Sequence, residues 1–212
     1  MHYLFDFDGT LADSMPTWAG FHISMLKEYG IPCPSDFINT IVPIGSLRAS
    51  QYAIDLGVKL TLEEYHSKMK TVLAEYYDNS ILLKSGAVET LKRLIANGHQ
   101  VHILTASPHR FVDPCLTRNG AYDLFGKIWS SDEFDYTKND ERIYIEAAKR
   151  LGADISDCIF VDDNVTCIET ARRAGMFTVG IYDETSSAFF DGMKKAADRY
   201  VYQFDEIMDI EF

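Results

Sequence analysis

The stretch Tyr3-Leu4-Phe5-Asp6-Phe7-Asp8-Gly9-Thr10 decides how the chain is read. An apolar, aromatic run is broken by one carboxylate, and a second follows two residues on, directly before Gly-Thr. Side chains alternate faces along a strand, so Asp6 and Asp8 would share a face if a strand over Tyr3–Phe7 ran on. Two close carboxylates repel each other, and burying them is costly without a compensating cation. An Asp-Gly turn after the strand accounts for Asp8 and Gly9 but leaves Asp6 unexplained.

Further strands are expected at Val101–Thr105, Lys127–Ser130, Cys158–Val161, Phe177–Ile181 and Tyr200–Tyr202. Helical periodicity lies between them. Ala87–Asn97 places Val88, Leu91, Leu94 and Ile95 on one face and stops at Gly98. Arg110–Asn119, Glu141–Leu151 and Val165–Ala174 read the same way, each followed by a glycine. Strands alternating with helices predict an α/β fold, a doubly wound parallel sheet with its site at the carboxyl ends of the strands.

The first crossover is too long. About 100 residues separate Asp6 from Thr105, whereas a β-α-β unit needs about 30 or more. The excess is helical in pattern. Trp18–Tyr29 carries Trp18, Phe21, His22, Met25 and Tyr29 on one stripe, Leu47–Leu56 is a second helix, and Leu62–Tyr77 is a third with Tyr65, Met69, Val72, Leu73 and Tyr76. We therefore expect an all-helical cap over 16–83, inserted into a core formed by 1–15 and 84–212. The aromatic stripes are expected to be core rather than a binding box.

The whole chain has 212 residues, 47% hydrophobic, with a formal net charge of −12. That charge argues against a nucleic-acid or anionic-membrane partner, which needs a positive footprint. It leaves a small phosphate substrate open, because a divalent cation inverts the local field. None of the four cysteines, Cys33, Cys115, Cys158 and Cys167, is spaced as C-x-x-C, so no zinc or dithiol site is expected. There is no apolar run of membrane-spanning length and no signal-peptide pattern, and a reduced, cytoplasmic protein is expected.

Four strand-end features fall on one sheet edge: Asp6 and Asp8; Thr105-Ala106-Ser107; Asp162-Asp163-Asn164; and Lys138 in the loop before the Glu141 helix. Taken singly, each has an ordinary explanation as a cap, a surface lysine or an acidic helix start. Together they make a site. Carboxylates with a substrate phosphate suit Mg²⁺. Backbone N–H groups near Gly9 and Thr10 can approach a phosphate closely. Thr105 offers a hydroxyl, and Lys138 can neutralise a phosphate oxygen and a carboxylate.

Asp6-Phe7-Asp8-Gly9-Thr10, Ile103-Leu104-Thr105-Ala106-Ser107, Lys138 and Phe160-Val161-Asp162-Asp163-Asn164 resemble the four motifs of the haloacid dehalogenase-like superfamily. Ala171-Arg172-Arg173-Ala174-Gly175-Met176 is similar to the segment after the fourth motif. The resemblance covers roughly Met1–Ala12 and Gly86–Tyr202, and the insertion resembles the cap of the phosphoglycolate phosphatase and β-phosphoglucomutase branch. It implies that Asp6 is the nucleophile and a Mg²⁺ ligand. Asp8 would be the general acid and base, with its backbone carbonyl on the metal. Thr105, with Ala106 beside it, and Lys138 would hold the phosphoryl group. Asp163 would bind the metal directly and Asp162 through water. Two positions depart from the pattern: Asn139 follows Lys138 where many relatives have proline, and Cys167 stands where a second aspartate is common.

The resemblance implies a Mg²⁺-dependent phosphomonoesterase that acts on a small phosphorylated metabolite through an aspartyl-phosphate. Relatives that cleave carbon–halogen bonds typically lack the second aspartate, so Asp8 favours phosphoryl transfer. A sugar phosphomutase uses the same motifs and stays open, as does a non-enzymatic phospho-accepting switch, against which the insertion and Asp8 both argue. In the cap, Val42-Pro43-Ile44-Gly45-Ser46-Leu47-Arg48 is a Pro/Gly turn leading into a helix; the resemblance implies a loop that brings Arg48 to the substrate, and an ordinary loop with a surface arginine is the alternative.

Overall fold

The computed structural model describes residues 1–41 and 44–210, so Val42 and Pro43 of the expected cap turn lie outside the described residues. Six strands, β1 (His2–Phe5), β2 (Gln100–Thr105), β3 (Lys127–Ser130), β4 (Cys158–Asp162), β5 (Phe177–Ile181) and β6 (Arg199–Val201), form one sheet in the order β3-β2-β1-β4-β5-β6. Every pairing is parallel. Strands β1 and β4 are buried along most of their length, which is why their sequences read as continuous apolar runs rather than alternating ones. The helices α5 (Ala87–Ala96), α6 (His109–Arg118), α7 (Glu141–Leu151), α8 (Val165–Ala174) and α9 (Phe190–Ala196) follow or separate the later strands.

This strand order reverses direction of growth beside β1, between β1 and β4. That crevice is where ligands bind in open α/β sheets. Register sets what meets there. Phe5 pairs with Ile103 on one side and Val161 on the other, so the residues following all three come out at the same level.

The first strand is shorter than the apolar run suggests. It ends at Phe5, and the Asp6 N–H still donates to the Val161 carbonyl at 2.9 Å. The chain then turns in a loop closed by Ala12 N–H to the Phe7 carbonyl at 2.7 Å and Gly9 N–H to the Ala12 carbonyl at 3.0 Å. Asp6 and Asp8 are therefore placed by a turn and not by strand alternation. Gly9 makes the turn with φ of 77°, a left-handed conformation that costs glycine little.

Four helices occupy the long crossover: α1 (Met15–Glu28), α2 (Phe37–Ile41), α3 (Gly45–Asp55) and α4 (Leu62–Asn79). Pro16 stands in the first turn of α1, where its missing N–H has no intrahelical partner to lose. Thr61 and Glu64 form a reciprocal capping box at the start of α4. The segments entering and leaving these helices pair antiparallel: Asp13 N–H donates to the Leu82 carbonyl at 2.9 Å and Lys84 N–H to the Leu11 carbonyl at 2.8 Å.

The buried stripe of α4 is Tyr65, Met69, Leu73 and Tyr77, a strict four-residue spacing. Tyr76, expected on that stripe, is instead exposed. Tyr77 stacks on Phe111 of α6 with centroids 4.7 Å apart, and also on Phe7. These rings join the crossover helices to the sheet layer in one apolar cluster. No described helix is long and apolar enough to cross a membrane.

Candidate active site

Three strand ends and one loop build the site. Asp6 follows β1, Thr105 closes β2, Asp162 closes β4 with Asp163 next, and Lys138 lies between β3 and α7. Asp6, Thr105, Lys138, Asp162 and Asp163 are all buried. The Lys138 ammonium is 2.7 Å from Asp6 Oδ1 and 2.7 Å from Asp162 Oδ2. Its loop is pinned by Tyr144, whose hydroxyl donates to the Lys138 carbonyl at 2.8 Å. Burial alone would lower the Lys138 pKa, but Asp162 and Asp6 hold the ammonium well above the ordinary lysine range.

Asp163 is held by two hydroxyls. Thr10 Oγ1 donates to its Oδ1 at 3.0 Å and accepts its backbone N–H at 3.0 Å, while Ser186 Oγ donates to Oδ2 at 3.1 Å. A Cβ on Gly9 would lie 2.6 Å from Asp163 Oδ2, so close approach as well as backbone conformation demands glycine here. Burial first, then the charges of Asp162, Asp6 and Asp183, push the Asp163 carboxyl well above the usual carboxylate range.

One carboxylate oxygen from each of Asp6, Asp162 and Asp163 lies within 4.8 Å of the others. The Lys138 ammonium bonds Asp6 and Asp162 but not Asp163, and all the offered atoms are hard oxygens. This donor set fits a divalent cation of the Mg²⁺ class. Asp8 is not part of the triad. Its Oδ1 accepts from Ser14 Oγ at 2.5 Å and from the Tyr77 hydroxyl, and its Oδ2 accepts from Ser107 Oγ. Burial raises the Asp8 pKa; the Ser107, Ser14 and Tyr77 hydrogen bonds oppose that rise, and the Asp6 charge adds to it. Asp6 and Asp8 thus face different environments: one beside an ammonium, the other inside a ring of hydroxyls.

Thr105 Oγ1 accepts the Ser107 N–H at 3.1 Å, which shapes the Thr105-Ala106-Ser107 turn. Ala106 and Ser107 line a cavity of about 420 Å³ together with Asp6, Asp8, Lys138 and Asp163. Trp18, Ala19 and His22 of α1 and Ser46 and Ala49 of α3 supply the facing wall. The cavity thus lies between the strand ends and the crossover helices.

Arg48 does not reach it. It is exposed on α3. Ser46 and Ala49 are three residues apart and share the cavity side, and at about 100° per residue Arg48 projects away from both.

Several site residues carried no legible signal. Ser14 and Tyr77 reach Asp8 from either end of the crossover helices, and only the four-residue spacing of Tyr65, Met69, Leu73 and Tyr77 could have singled out Tyr77 over Tyr76. Trp18, expected in the core, lines the cavity and donates its indole N–H to the Tyr77 hydroxyl at 2.8 Å. His22 pairs with the Tyr65 hydroxyl at 2.8 Å. Cys167, which stands where a second aspartate is common in the resembled motif, lines the cavity, while Asp162 stands next to Asp163 on the strand end.

An N-acetylmuramic acid 6-phosphate phosphatase of Pseudomonas putida is 28% identical over 185 residues, covering 84% of this chain and 81% of its own. A phosphoglycolate phosphatase of Psychrobacter arcticus is 29% identical over 189 residues, covering 84% of this chain and 81% of its own. A crystal structure from Haemophilus somnus, described as a predicted phosphoglycolate phosphatase, matches with a TM-score of 0.81 at 24% identity over 98% of this chain and 96% of that one, a likeness of fold. The family profile described as haloacid dehalogenase-like hydrolase matches residues 3–181, from β1 through β5, and this chain belongs to that family.

Proposed function

We propose that the protein is a Mg²⁺-dependent phosphomonoesterase of the cytoplasm, acting on a small phosphorylated metabolite through an aspartyl-phosphate on Asp6. The observation that carries this is the separation of the two acids: Asp6 beside Lys138 at 2.7 Å, and Asp8 two residues on inside a ring of hydroxyls. One acid stands beside a cation, as suits a nucleophile, and the other is suited to carry a proton. We also propose the division of labour that the resemblance implies, with residues 1–15 and 84–212 as catalytic core and 16–83 as cap.

Asp6, Asp162 and Asp163 would hold the cation, with the Asp8 backbone carbonyl. When bound, Mg²⁺ supplies positive charge that offsets repulsion between Asp6 and the incoming phosphate. Lys138, the Thr105 hydroxyl and backbone N–H groups near Ala106, Gly9 and Thr10 orient the phosphoryl group. Asp6 attacks phosphorus in line, and the P–O bond to the leaving alcohol breaks. Asp8 gives its proton to that alcohol oxygen. It then accepts a proton from water, which attacks the aspartyl-phosphate at phosphorus and returns Asp6 as a carboxylate.

The test is turnover of p-nitrophenyl phosphate by purified protein, with Mg²⁺ and with excess chelator, beside Asp6→Asn. Many turnovers are expected only for the wild type with Mg²⁺. Multiple turnover by Asp6→Asn, or full activity in chelator, would overturn the assignment, and a single stoichiometric labelling would favour a switch over an enzyme.

A further inference from the structure

The two halves of the cavity differ in character. The core half carries Asp6, Asp8, Lys138 and Asp163. The half facing it, from α1 to α3, is uncharged among the described residues: it includes Trp18, Ala19, His22, Ile41, Ser46 and Ala49. Lys138 is the one cationic side chain in the described wall, and it is already bonded to Asp6 and Asp162. Arg48 is exposed and is not part of the described wall.

The polar groups in that half are neutral. His22 is buried, with Nδ1 paired to the Tyr65 hydroxyl at 2.8 Å, and among the described residues its Nε2 has no hydrogen-bond partner. Burial, then the neighbouring His66, pushes its pKa down to about 4, so the ring is uncharged at neutral pH. Trp18 has already donated its indole N–H to Tyr77, which leaves its ring as apolar wall.

We infer that the leaving group of the substrate is an uncharged, hydroxyl-bearing alcohol of the sugar type, and that His22 is a residue that recognises it. This rests on the phosphomonoesterase reading above. A second anion on the leaving group would enter a wall with no free cation and lose its hydration without a partner. It would also approach a chain whose net charge is −12 and a site already crowded with acids. A hydroxyl has no such penalty: His22 Nε2 can donate to it or accept from it, and an apolar sugar face can rest on Trp18. Phosphoglycolate and N-acetylmuramic acid 6-phosphate, the substrates in the names of two relatives, each carry a carboxylate beyond the phosphate and are disfavoured by this wall.

Two matched pairs test the inference with Mg²⁺ present: 2-hydroxyethyl phosphate against phosphoglycolate, and N-acetylglucosamine 6-phosphate against N-acetylmuramic acid 6-phosphate. Each compound is measured as a substrate and as a competitive inhibitor of p-nitrophenyl phosphate turnover, so a pair that is not hydrolysed still ranks by Ki. The neutral member of each pair is expected to be favoured roughly 10–100-fold. Equal or reversed ranking in either pair overturns the inference. Failure to turn over p-nitrophenyl phosphate at all removes the phosphomonoesterase reading itself, and this inference with it. Ser46→Lys, which adds a cation to the wall, should narrow the ratio; an unchanged ratio would also count against the inference. His22→Leu should lower kcat/KM for the preferred sugar phosphate about 5–10-fold more than it lowers that for p-nitrophenyl phosphate. An equal loss on both would make His22 a packing residue and overturn its role in recognition.

Discussion

Tyr77, at the end of the last crossover helix, donates its hydroxyl to the same Asp8 carboxylate oxygen that Ser14 reaches at 2.5 Å. The two donors come from opposite ends of the helical crossover, so the orientation of Asp8 depends on how those helices are seated. Tyr77→Phe should keep the ring stack on Phe111 and lose this hydrogen bond. With Ser14 and Ser107 still in place, a fall of about 10–100-fold in kcat is expected, on the scale of the ~1.5–3 kcal/mol of a charge-assisted bond. The loss should be larger for alkyl than for aryl phosphates. An unchanged leaving-group dependence would mean that Tyr77 only packs.

Asp8→Asn removes the transferable proton while its side chain can still accept and donate hydrogen bonds. The expected penalty on alkyl phosphates is ~10²–10⁴-fold, the usual contribution of a general acid or base. Aryl phosphates, whose leaving groups need little protonation, should lose less. Equal losses on both classes would count against Asp8 as the acid.

The crowding of Asp6, Asp162 and Asp163 predicts a metal-dependent stability. Binding of a cation to the folded state raises the melting temperature by mass action. Mg²⁺ should therefore stabilise the wild type in thermal denaturation. Asp163→Asn keeps the shape, relieves like-charge repulsion and removes a ligand, so it should melt higher than wild type without Mg²⁺ and respond less to it. A wild-type response retained in full by the variant would place the cation elsewhere.

His102 predicts a pH dependence of stability. It is buried, and burial with the charges of His2 and Lys127 lowers its pKa to about 4. A histidine in the unfolded chain titrates near 6.5. As pH falls through that value the unfolded state takes up the proton first, so stability drops between about pH 6.5 and pH 4. The drop attributable to His102 approaches about 3 kcal/mol at the acid end, since each pH unit between the two values is worth about 1.4 kcal/mol. Denaturant unfolding of His102→Gln should show a flatter decline over that window than the wild type; parallel curves would dismiss the idea.

Arg48→Ala should change kcat/KM by less than about 2-fold on aryl and sugar phosphates alike, because the side chain is exposed and away from the cavity. A selective loss on an anionic substrate would show that Arg48 swings in on closure, and would weigh against the neutral leaving group.

The sheet and its acidic edge were legible in the sequence because both depend on local pattern. Apolar runs at Tyr3, Val101 and Cys158 mark buried parallel strands, and any residue just past such a strand must come out on the same edge. Asp6, Thr105, Asp162 and Asp163 are brought together by that rule, and Lys138 by the loop that crosses the same edge. The rule fails for helices that lie over the edge. Which side of α3 or α4 faces the site depends on a rotation about the helix axis, and one residue's displacement turns the side chain by about 100°. Tyr77 rather than Tyr76 faces inward because it stacks on Phe7 and Phe111, and Ser46 and Ala49 rather than Arg48 line the cavity because α3 packs against α1, α2 and α4. Local pattern is enough to locate the strand-end chemistry. Which neutral side chains close over it is settled only in the folded chain, because contacts between segments far apart in sequence make that choice.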